Sequence, residues 1–513
     1  MNPLELSDLP LTLRDVENVA RRGAAVAVSP AIMARLHTAR AVVTRLASSG
    51  ESIYGLNSAL GANTGKRLAT SQAEASEQPD PTRDLLAEYQ RNALRARNVG
   101  VGTPCPTDVV RAMLFARIAG MRMGGSGISP PVFEALVAML NAGVHPLVPH
   151  IGSIGVGDLA PLSALALPLI GEGLAEFRGT VMPGAEALAA AAIAQPPLGP
   201  KDGLSLISSN AATVGTAALA LVDVADALSA LEHAAALACE GLRANLSPLD
   251  PRMQAARPAP GQAEAAARLT ALLAGSGLWE PGAARRVQDP LSFRCIPQVH
   301  GAALATWNEA RAQVELELNS AADSPLVLDS GEMLSNGNFH IPALAIAFEA
   351  LGLGLAQCAA MSVERSLKLL SPAFTGLPLQ LTRHGPAHSG FAAVQKTLTS
   401  LYNRMRHLAN PACLDFLPVS ERIEDHATMV MNVVEKTIAM LEPLHYLAAI
   451  ETLIAAQAVD LRAPSPRDSL GRGAARLHAA LRAQVTMLEG DRSLGPDIEA
   501  AARVLRAVVT DAR

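Results

Sequence analysis

An all-α architecture is what this sequence predicts, and three observations carry the prediction. Half of the residues are hydrophobic while only 3% are aromatic, so a core must be assembled mainly from Ala, Leu, Val and Ile. Ala and Leu are strong helix formers. Several stretches of more than twenty residues keep apolar side chains at helical spacing without an internal turn signal, as expected of a large bundle.

Charge and cysteine usage narrow the class. A formal net charge of -5 and a pI near 6.2 give no global attraction to nucleic acid or to an anionic membrane. The expected partners are small molecules and other protein chains. The five cysteines, at 105, 239, 295, 358 and 413, are scattered and never fall in a CxxC spacing, which reads as buried thiols in a reducing compartment. No basic segment leads into an apolar one after Met1, so no signal peptide is read and a cytoplasmic location is expected. The richest apolar stretches, near 211–240 and 341–362, are interrupted by acidic and small residues, and core helices are expected there instead of membrane spans.

Taken in order, Ser29 to Ala47 reads as a helix and leads into a Gly/Asn-rich loop from Ile53 to Gly65 that carries Tyr54, one of four tyrosines. Residues 84–98 and 107–122 read as helices, with Arg91, Arg95 and Arg97 on the first. Ile151 to Ala166 is the most concentrated stretch. Glycines at 152, 155 and 157 permit positive φ or close backbone approach, Asp158 reads as an N-cap, and a helix with Pro161 in its first turn runs to about Leu169. Its N-terminus is expected to favour negative charge.

Gly171 to Gly199 reads as a small excursion, Leu204 to Leu246 as an Ala-rich helical segment opened by Ser208-Ser209-Asn210, and Pro248 to Gly282 as a linker or lid. After Gln288 to Cys295 comes a helix from about Pro297 to Ser320, a turn at Asp323 to Leu326, the polar stretch Asn336 to His340, and a helix to about Leu370. Glu421 to His426 enters a further helix. Two domains are expected: residues 1–200, with the Tyr54 loop and the 151–163 loop, and residues 201–513, a long-helix bundle with C-terminal helices.

Several motifs in one order make the chain resemble the histidine and aromatic amino acid ammonia-lyases. They are Tyr54-Gly55-Leu56-Asn57, the glycine loop at 152–162, Gln288 to Ala302, Asp323 to Leu326, Gly337 to His340, and Glu424-Asp425-His426. The resemblance covers roughly residues 10–450. It implies an all-α homotetramer with active sites shared between subunits, a small carboxylate substrate, and an electrophilic methylidene-imidazolone made from an Ala-Ser-Gly triad.

The triad is the point of departure. Its aligned residues are Gly155, Val156 and Gly157, in a loop one residue shorter than the family's, and valine has no hydroxyl to eliminate. No cofactor is therefore expected. Where the family has a hydrogen-bonding Asn, Tyr and Gln, this chain has Ser208, Leu291 and Ile423, the last beside Glu424. Other positions keep their chemistry: by the resemblance, Tyr54 takes the substrate proton, Arg294 binds the carboxylate with its planar fork, and Asn338 orients the substrate. Arg97 falls where the family contacts the substrate's side chain, and a guanidinium there favours an anionic or strongly accepting group. His300, His340 and His426 lack ligand spacing, so no metal is expected, and the last two are read as supporting hydrogen-bonders.

Three functions follow as expectations: a lyase that works without the electrophile on a substrate with a better leaving group, or by the reverse addition; a conventional histidine or aromatic amino acid ammonia-lyase; and a non-catalytic ligand-binding or subunit-partner homologue.

Overall fold

The computed structural model describes residues 3–49, 53–56, 58, 81–462 and 469–511. It is an all-α structure, as predicted. Four helices dominate: Ala211–Leu242, Ile296–Leu318, Pro342–Leu369 and Val430–Leu461. The strands are two to four residues long, and the largest sheet is the antiparallel set Val144–Pro146, Leu174–Phe177 and Thr180–Pro183. Its last two strands and the following helix Gly184–Ala190 form the excursion expected between Gly171 and Gly199.

The chain divides into two compact units. The first comprises Met1–Leu221, Arg311–Ile346 and Ala412–Val434; the second Val222–Ala310, Ala347–Pro411 and Glu435–Arg513. The sequence reading cuts the chain once, at residue 200, whereas here each long helix contains a boundary and both units are discontinuous. The expected linker at 248–282 is itself largely helical, with Pro251–Ala256 and Gln262–Leu272. Its prolines and glycines sit at helix starts, where Asp250 caps Pro251–Ala256 and Gly261 precedes Gln262–Leu272 at φ +74°.

Scarce aromatics have a packing consequence, because helices covered in Ala and Gly approach one another closely. In the first unit, a Cβ added at Gly215 would lie 2.5 Å from the backbone oxygen of Ala112, so Ala211–Leu242 meets Thr107–Met121 nearly backbone to backbone. Helical stretches 202–242, 342–369 and 430–461 are long and apolar enough to cross a membrane, yet 78%, 56% and 72% of their apolar windows are buried within the protein. A helix apolar all round is what the interior of a large bundle requires.

Candidate active site

The glycine loop follows the short strand Pro149–Ile151 and ends at the helix Leu159–Ala166. Gly155 and Gly157 both have positive φ, +75° and +70°. Three segments hold the loop. Met429 N–H donates to Ile154 O at 3.0 Å, Thr428 Oγ1 donates to Gly155 O at 2.9 Å, and Val156 forms a one-residue antiparallel bridge with His340. On the far side, Asp158 N–H donates to Ser209 O at 2.7 Å.

Asp158 stands at the N-cap position but does not cap the helix with its side chain. Its fully buried carboxylate instead accepts from Ser153 Oγ at 2.6 Å, Thr213 N–H at 2.6 Å and Thr213 Oγ1 at 2.9 Å. Burial pushes this carboxyl above its ordinary range, and the hydrogen bonds from Ser153 and Thr213 oppose the rise. The group standing at the helix N-terminus is thus a buried carboxyl of the chain itself, held by Ser153 and Thr213.

The aligned triad is geometrically constrained. An ideal Cβ at Gly155 would lie 2.2 Å from Thr428 Oγ1 and 2.9 Å from Val430 N, at a φ that L side chains rarely adopt. Residue 155 therefore takes no side chain with the loop in this conformation. Ser208 is turned away from the loop. Its Oγ donates to Ser324 O at 3.2 Å and accepts from Ser324 N–H at 3.3 Å.

The structure places the remaining candidates unequally. Asn338 is exposed, two residues before His340, with its N–H bonded to Asn336 Oδ1 at 2.8 Å. Glu424 sits in a loop where Ser420, Glu421 and Arg422 all have positive φ, and its carboxylate accepts from Ser420 Oγ at 2.7 Å. Ile423 beside it is 59% exposed. These residues and the glycine loop belong to one connected patch through His340 and Thr428.

Tyr54 and Arg97 are not tied to that patch by a hydrogen bond or ion pair among the described residues. Tyr54 is half-buried and bridges Ser58; Asn57 and residues 59–65 of its loop lie outside the described residues. Arg97 lies just past the helix Pro81–Arg95, not on it as expected, because Arg97 N–H and Asn98 N–H close a turn onto Leu94 O. Its Nη1 donates to Ala93 O at 3.2 Å. Leu291 and Arg294 belong to the second unit, on the short helix Leu291–Arg294, with Leu291 61% exposed. Arg294 Nε is buried without a partner among the described residues, a donor left for something else to bind.

Two features escaped sequence reading. His340 Nε2 and His426 Nδ1 lie 2.8 Å apart, a ring-to-ring hydrogen bond between residues 86 positions apart that no local spacing announces. Elsewhere in the first unit, buried Arg117 pairs with Asp323 at 2.6 Å, and Lys201 Nζ donates to Ser126 O at 2.6 Å. Burial pushes Lys201 down to about 8. Among the described residues, no group of three or more His, Cys, Asp or Glu side chains is placed to hold a metal ion.

Comparison with known proteins agrees with this architecture along the whole chain. Residues 11–483 match the family model for aromatic amino acid lyases. Histidine ammonia-lyase of Symbiobacterium thermophilum is 38% identical over 497 residues, spanning 96% of this chain and 95% of that protein. The histidine ammonia-lyase of Anaeromyxobacter dehalogenans is 40% identical, over 98% of this chain and 99% of its own. Among solved structures, the ergothioneine-degrading ergothionase of Treponema denticola, in complex with desmethyl-ergothioneine sulfonic acid, superposes with a TM-score of 0.93 at 33% identity, covering 99% of each chain. With these relatives and the ordered motifs in its fold, the chain belongs to the aromatic amino acid lyase family and is a lyase.

Proposed function

We propose that this lyase eliminates a tertiary amine from the quaternary-ammonium betaine of an aromatic or heteroaromatic amino acid, without a methylidene-imidazolone group. The observation that carries the reading is the glycine loop, where Val156 has no hydroxyl to lose and a Cβ at Gly155 would overlap Thr428. A primary amine is a poor leaving group, and the family's electrophile exists to improve it. A trimethylammonium group already is a good one and departs as neutral trimethylamine.

In this scheme the Tyr54 phenolate oxygen takes a proton from the substrate's Cβ. The C–H electrons form the Cα–Cβ double bond, and the C–N electrons leave with the amine. Arg294, with its unpartnered Nε, binds the carboxylate in a subunit-shared site of a homotetramer, while Asn338 and Glu424 orient the substrate. Arg97 meets an acceptor at the far end. Ergothioneine, which the Treponema denticola enzyme degrades, has this chemistry: its nitrogen is a trimethylammonium and its ring carries sulfur. It is the first substrate to try.

Deamination of histidine is the competing reading, supported by the names of relatives 38–40% identical. The intact mass of the mature chain separates the two. The unmodified mass together with amine release from ergothioneine, lost in Tyr54→Phe, supports the proposal. A mass lower by about two waters, as internal cyclisation and dehydration require, overturns it.

A further inference from the structure

Two loops meet at the glycine loop, and the contact that closes the three into a ring is made by two imidazoles. His340 bridges Val156 through its backbone and lies two residues after Asn338. His426 lies two residues after Glu424 and two before Thr428, whose hydroxyl bonds Gly155 O. The 2.8 Å bond from His340 Nε2 to His426 Nδ1 completes the circuit, with the Phe416 ring packed 5.2 Å from the His426 ring. We propose that His340 and His426 are positioning residues whose shared proton clasps the Asn338 loop to the Glu424 loop. The clasp fixes the spacing of the two substrate-orienting side chains.

The chemistry of the pair sets its behaviour. One ring donates N–H and the other accepts, so the bond exists when both are neutral and when one is protonated; two imidazoliums have no acceptor and repel. The charged groups nearby in the chain are Glu421, Arg422, Glu424, which Ser420 engages, Asp425 beside His426 and Asp415 beside Phe416. Among the described residues, no hydrogen bond or ion pair joins a carboxylate to either ring. Burial and the charge of His426 both lower His340, so the second proton binds only in acid.

The role of Asn338 and Glu424 rests on the proposed function, whereas the clasp itself is testable without turnover. Hydrogen exchange of the full-length protein, read by mass spectrometry, follows the segments 336–340 and 419–429. At pH 7.5, His426→Ala and His340→Ala each speed exchange in both segments by about five- to tenfold, and His426→Gln, which still reaches His340, recovers most of the protection. In the unmodified protein both segments loosen together as the pH falls into the acid range, after correction for intrinsic rates, a step absent from His426→Gln. With a turned-over betaine, His426→Ala raises KM more than it lowers kcat. Unchanged exchange at 336–340 in His426→Ala, or an acid step that persists in His426→Gln, overturns the clasp. Failure to turn over any betaine while both exchange results hold overturns the proposed function and leaves the clasp standing.

Discussion

Residue 155 has no room for a methyl group. Placing it there forces Thr428 Oγ1 and Val430 N apart at a φ of +75°, so Gly155→Ala costs about 1–3 kcal/mol, read as a lowered midpoint of thermal unfolding. An unchanged midpoint would mean that the loop accommodates a side chain there after all. Arg97 allows a prediction of a different kind. If it meets the far end of the ligand, Arg97→Ala weakens binding of ring-acceptor substrates such as ergothioneine about tenfold or more and leaves ligands lacking the acceptor unaffected, measured by calorimetry. At this scale the sequence was informative where chemistry is a matter of residue type: the missing hydroxyl at 156 is visible without coordinates. It was silent where chemistry depends on partners, as with Ser208 turned to Ser324, Asp158 bonded to Ser153 and Thr213, and His340 meeting His426.

Between elements, close approach and buried charge do the holding. Gly215→Ala drives a methyl into the Ala112 carbonyl, where both neighbours are backbone, and destabilises by about 1–3 kcal/mol. In the second unit, Arg365 Nε donates to Glu451 at 2.5 Å with both side chains fully buried, joining Pro342–Leu369 to Val430–Leu461. Removing one partner strands a charge, so Glu451→Ala costs about 3–5 kcal/mol, whereas the double change Arg365→Met with Glu451→Leu recovers much of it in chemical denaturation. Helix positions were legible because periodicity is local: 29–47, 107–122 and 297–320 match Pro30–Ala47, Thr107–Met121 and Ile296–Leu318 within a residue or two. The linker expected at 248–282 was not, since Pro and Gly punctuate helix starts as readily as they fill loops.

Over the molecule as a whole, the same core that excludes water also sets the response to pH. Burial raises Glu232 to about 7 against an ordinary 4.5, opposed by the Arg268 guanidinium. Between those values the folded chain binds the proton that the unfolded chain has released, so stability falls as pH rises through that window and stays lower above it. Glu232→Gln therefore flattens the dependence and is the more stable protein at pH 8, by thermal unfolding across pH 4.5 to 8. Fold class was readable from composition, because a chain with few aromatics and abundant Ala and Leu has little choice but closely packed helices. The division into units was not, because long helices carry the chain through both. The nitrogen that leaves is the decisive point, and one head-to-head measurement tests it: turnover of ergothioneine, beside its primary-amine parent 2-thiohistidine and histidine, by the same preparation. The expected result is amine release from the betaine alone; release from the primary amines at a comparable rate, with the betaine untouched, would contradict it.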